Sequence, residues 1–87
     1  MKIKSGFVVR EIAGQSVVVA LGEASKAFNG IIKLNETGRI IWDMLTDGAE
    51  KSDIVDAILM DYEIDRATVE NDVDAVVATL KENNILE

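Results

Sequence analysis

The stretch Phe7-Val8-Val9-Arg10-Glu11-Ile12-Ala13-Gly14-Gln15-Ser16-Val17-Val18-Val19-Ala20-Leu21 decides the fold. Its first six residues are rich in β-branched and aromatic side chains, which suit a pleated, half-buried surface. Ala13-Gly14 fits a two-residue turn, because Gly14 takes the positive φ of such a turn at no steric cost. Gln15 to Leu21 then returns with three consecutive valines at its centre. A continuous apolar run fits a central strand covered on both faces better than an edge strand. Beyond it, Gly22 to Ala27 reads as a connecting loop and Phe28-Asn29-Gly30-Ile31-Ile32-Lys33-Leu34 as a third strand. Gly30 weakens strand propensity and marks a place where another backbone can approach closely.

After this, the hydrophobic period changes from two to three or four. Asn35 suits the N-cap of a helix running to about Leu45, ended by Thr46-Asp47-Gly48. At 100° per residue Ile40, Ile41, Met44 and Leu45 share one arc, with Trp42 at its margin. A second helix is expected over roughly 51–62, with Ile54, Val55, Ile58, Leu59 and Tyr62 on one side and Met60 on the polar side. A third starts near Asp65 and carries the stripe Val69, Val73, Val76, Val77 and Leu80, with Ile85 and Leu86 covering the end of the core. Strands first and helices second predict an α+β domain: a three-stranded antiparallel meander packed on three helices, one domain over residues 1–87.

Composition narrows the chemistry. The 87 residues include no Cys, His or Pro. Disulfides, iron–sulfur clusters, zinc sites built on Cys or His, and every nucleophile activated by histidine are therefore excluded in this chain. The expectation is no catalytic residue, no metal and no cofactor. Nine Lys and Arg stand against sixteen Asp and Glu, a net charge of −7. That balance argues against a nucleic-acid partner. No apolar run is long enough to span a membrane and nothing resembles a signal peptide, so the expected compartment is the cytoplasm. The charge is also divided. Residues 1–34 carry five positive and two negative side chains, net +3; residues 35–87 carry four and fourteen, net −10.

Several local patterns have bland readings. Asp61, Glu63 and Asp65 echo a calcium loop, but Arg66 stands where that loop needs glycine. Asn35-Glu36-Thr37 matches a glycosylation sequon but reads as a helix cap. The sheet-and-helix order suggests a DNA-reading winged helix, yet residues 65–84 are too acidic for a phosphate backbone. Trp42 and Met60 read as a core-boundary residue and a lone exposed one, against the sharper reading of two partner contacts. In a simple meander the third strand is an edge, whose free N–H and C=O groups either are protected by Lys33 and Gly30 or receive another chain as a strand.

Leu34-Asn35-Glu36-Thr37-Gly38-Arg39-Ile40-Ile41-Trp42-Asp43-Met44-Leu45 resembles the hallmark segment of the PqqD family, named for coenzyme PQQ synthesis protein D. Asp53 to Leu59 resembles that family's second helix, and Asp72-Val73 with the ending Leu80 to Leu86 its third. The resemblance implies a winged-helix-like arrangement and a function as a RiPP recognition element, also called a peptide chaperone. Such a domain binds the leader segment of a ribosomally made precursor peptide and delivers it to a modifying enzyme, commonly a radical S-adenosylmethionine (SAM) enzyme. The resemblance further implies that the leader adds as a strand to the third strand and lies in the groove beside the third helix. Carried onto this chain, that implies contacts at Phe28, Asn29, Gly30, Ile31, Ile32, Lys33 and Leu34. From the 65–84 helix, Glu70, Asp74 and Val77 flank the core stripe and are the expected contacts. The loop Gly22 to Ala27 differs from the PQQ-pathway member, which leaves the product open between PQQ and another peptide. The competing reading is an adaptor for a folded partner, or a homodimer through the same edge.

Overall fold

The computed structural model describes residues 1–28 and 30–87. Strands β1 (Phe7–Ile12) and β2 (Gln15–Ala20) form the expected hairpin, in register from Ile12 opposite Gln15 to Phe7 opposite Ala20. The turn between them has positive φ at both residues, 52° at Ala13 and 79° at Gly14. This primed turn matches the right-handed twist of the strands. A short helix α1 (Ala24–Ala27) follows, where the sequence predicts only a loop. It is a single turn, too short for a hydrophobic period to reveal.

Strand β3 (Ile32–Leu34) pairs antiparallel with β2 through Val18–Ile32, Val17–Lys33 and Ser16–Leu34, giving the order β1-β2-β3. The expected strand began at Phe28, so the observed one is shorter. Phe28 is instead buried, its ring edge-on to Phe7 at a centroid distance of 5.8 Å. Burial of that aromatic surface outweighs continuation of the ladder. Asn29, part of the expected strand, lies outside the described residues.

Three longer helices complete the chain: α2 (Glu36–Thr46), α3 (Lys51–Asp61) and α4 (Arg66–Glu82). Asn35 caps α2 as its side chain suggests, Oδ1 accepting from the Gly38 N–H at 2.7 Å. Asp65 occupies the N-cap position of α4, but its side chain accepts no capping bond. The helices bury Ile41, Leu45, Ile54, Ile58, Val73 and Leu80 against the sheet face that carries Val18. Trp42 is buried with them, which settles it as a core residue, whereas Met60 stands 85% exposed. Ile85 and Leu86 close the core; Leu86 bridges to Ile3, and the Lys4 N–H donates to the Ile85 carbonyl at 2.8 Å. Among the described residues no polar side chain is buried and no helix is long and apolar enough to cross a membrane.

Candidate functional site

Hairpin geometry fixes which way the backbone of β3 faces. Ile12 and Gln15 flank a two-residue turn, so they exchange both of their backbone hydrogen bonds. Bonded pairs then recur at every second residue: Arg10 with Val17, and Val8 with Val19. Val17 and Val19 therefore turn their N–H and C=O groups to β1, while Ser16 and Val18 turn theirs to β3. Their partners there are Leu34 and Ile32, whose backbone groups β2 thus engages. Lys33 has the opposite parity, and its N–H and C=O point away from the sheet. Ile31 precedes the first residue of β3, at the position where the same alternation would repeat, and is 73% exposed. Among the described residues no strand pairs beyond β3, so this margin is open.

Helix α4 walls the space beside the margin. One open cavity of about 910 Å³ is lined by Lys33, Leu34, Glu36, Ile40, Tyr62 and Val76. A second, of about 590 Å³, lies towards the start of the segment and is lined by Phe7, Phe28, Gly30, Glu82 and Asn83. The two hollows thus sit at opposite ends of the Phe28–Leu34 segment, and α4 contributes to both. Tyr62 crosses the first, its hydroxyl donating to Glu36 Oε1 at 2.8 Å. That bond raises the phenol above its ordinary pKa, since ionisation would abolish the donor; burial and then the charges of Glu36 and Asp61 push the same way. Arg39, at the same end, is held by Glu11 at 2.9 Å and Asp43 at 3.1 Å.

The two flanks of α4 have different neighbours. At 100° per residue, the buried stripe of Val69, Val73 and Leu80 has Glu70, Asp74 and Val77 on one side and Val76, Thr79 and Asn83 on the other. Asp74 reaches Lys51 of α3 at 2.9 Å, and Glu70 pairs with Arg66, which also holds Asp56 of α3 at 3.2 Å. The first flank therefore faces α3. The second, with Val76 and Asn83, lines the two hollows. The sequence reading assigned Val76 and Tyr62 to the core. Both are at least partly accessible, and only the docking angle of α4 on the sheet distinguishes its two flanks. Among the described residues no group of three or more acidic side chains is arranged to hold a metal ion.

An open strand margin beside an α4 wall is the architecture that the hallmark segment implies. The model of the family described as coenzyme PQQ synthesis protein D (PqqD) matches residues 15–86. The chain belongs to the PqqD family. This PqqD-family chain is also similar to two solved structures. One is TbiB1 in complex with the TbiA(beta) leader peptide, with 32% identity, a TM-score of 0.77, and coverage of 100% of this chain and 95% of that one. The other is lasso peptide synthetase B1 complexed with the leader peptide, with 26% identity, a TM-score of 0.74, and coverage of 97% and 93%. No curated protein sequence matches the chain.

Proposed function

We propose that this PqqD-family chain binds the leader segment of a ribosomally made precursor peptide as an added strand on β3 and presents it to a modifying enzyme, a radical SAM enzyme in the leading case. The observation that carries the reading is the outward parity of Lys33, preceded by the exposed Ile31, beside the Val76–Asn83 flank of α4. Two similar structures, one of them above 30% identity, are complexes with leader peptides. Backbone pairing supplies affinity with little dependence on sequence, and the hollows at either end supply side-chain selection. The docking set is Gly30, Ile31, Ile32, Lys33 and Leu34, with Phe28 as the floor of one hollow and Val76 and Tyr62 in the other. Asn29 belongs to the same segment. Glu70 and Asp74, paired with Arg66 and Lys51, lie with Val77 on the other flank of α4 and would meet the leader only at its margin.

On this reading residues 1–87 act as one binding domain in the cytoplasm, where the precursor is translated, and the chain itself performs no chemistry. The test is a titration of labelled protein with the leader encoded beside its gene, followed by amide resonances. Residues 30–34 and 76–83 should shift together and saturate. A saturating leader that moves neither segment would refute the proposal.

A further inference from the structure

The sheet has a second face, and among the described residues none of the long helices α2, α3 and α4 packs its buried side chains against it. The core cluster takes Val18 and, around it, Phe7, Val9, Ala20, Ile32 and Leu34, all on one side of the pleat. Alternation puts Val8, Arg10 and Ile12 of β1, Gln15, Val17 and Val19 of β2, and Lys33 of β3 on the opposite side. None of these seven belongs to the core cluster or packs against it. Val17 is nevertheless only 6% exposed, and its register partners on either side are Arg10 and Lys33. Ile12 is left 54% exposed.

The charge on this face is unusual for the molecule. With sixteen acidic residues in the chain, none falls at these positions, and the two charges present are both positive. Among the described residues neither Arg10 nor Lys33 joins an ion pair; Lys2, Lys4 and Lys81 are likewise unpaired, while Lys26, Arg39, Lys51 and Arg66 are held by carboxylates. A flat apolar surface with unpaired cations fits an apolar protein surface edged with carboxylates.

We infer that the outer sheet face, centred on Val17 between Arg10 and Lys33, is a second docking surface, and that it takes a folded protein presenting an apolar patch rimmed by Asp or Glu: the enzyme that acts on the bound leader. This rests on the leader-presenting reading, since Lys33 joins the face to the open margin. A second copy of the chain is disfavoured, because stacking this face on itself would bring four cations together. An anionic membrane is disfavoured as well: two cations give little attraction to a chain whose net charge is −7.

The test uses the full chain, a fluorescent leader peptide and the purified modifying enzyme encoded with the precursor. Arg10→Glu and, separately, Ile12→Ser are compared with the parent chain, with thermal melts to confirm folding. Leader affinity should stay within about twofold in both variants, since neither residue touches the β3 margin. Enzyme affinity should fall about tenfold or more in Arg10→Glu and severalfold in Ile12→Ser. Added salt should weaken the parent complex and leave the Arg10→Glu complex little changed. Unchanged enzyme affinity in both variants, with leader binding intact, overturns this inference alone. Failure of the parent chain to bind leader overturns the reading beneath it. A dimer in sedimentation that Arg10→Glu dissolves, or binding to phosphatidylserine vesicles that it abolishes, would assign the face to another occupant and also overturn the inference.

Discussion

At Ala13 the turn asks an alanine to hold a φ of 52°, in the left-handed region. A β-carbon there costs about 1 kcal/mol that asparagine largely avoids by local hydrogen bonding. Ala13→Asn should therefore raise stability by about 0.5–1 kcal/mol, read as a melting temperature several degrees higher. Asn35 illustrates the opposite sign. Its Oδ1 satisfies the Gly38 N–H at the start of α2, so Asn35→Ala should cost about 1 kcal/mol in urea unfolding. Tyr62 gives a pH signature. Its folded pKa is raised, so the bond to Glu36 contributes fully below the unfolded phenol pKa and is lost as pH rises through the folded value. Spectrophotometric titration of the single tyrosine should show its midpoint above that of a free phenol, and Glu36→Gln should bring it down.

Among the elements, β3 carries the sharpest contrast. Carried one residue back from β3, the alternation turns the Ile31 N–H outward, whereas the Ile32 N–H faces β2, so proline at these adjacent positions should act in different ways. Ile31→Pro should weaken leader binding about tenfold, equivalent to one backbone hydrogen bond of about 1.4 kcal/mol, and leave the melting temperature nearly unchanged. Ile32→Pro should instead destabilise the domain by about 2–3 kcal/mol, since it removes a ladder donor and strands the Val18 carbonyl. Equal melting losses in the two variants would contradict the parity argument. Much of this scale was legible in the sequence. The hairpin over 7–21 has its turn and both strands encoded in residue type, and Asn35 announces α2. The extent of β3 was not legible, because Phe28 reads as strand by propensity and is drawn into the core by Phe7, twenty-one residues earlier in sequence. The groove side of α4 was hidden for a similar reason. A helical stripe shows which residues are buried, but its two flanks look alike until a partner helix takes one of them, as Lys51 takes Asp74.

For the molecule as a whole, the core is apolar throughout the described residues, so its stability rests on packing rather than on buried ion pairs. The surface pairs, such as Lys26 with Glu23, each add little. Without proline in the sequence, refolding should lack the slow phase of prolyl isomerisation; stopped-flow fluorescence of Trp42 should show no component on the scale of tens of seconds. One further property lies in the pairing of Ile3 with Leu86, reinforced where the Glu87 N–H donates to the Lys2 carbonyl at 2.9 Å. The two extremities of this chain run side by side, next to the second hollow that Lys4 and Asn84 help to line. A few glycines could splice them together and a new opening be cut at Asp47-Gly48, which lines neither hollow. Such a permuted chain should still take up the leader, and it could be grafted at a single point into the loop of a host protein.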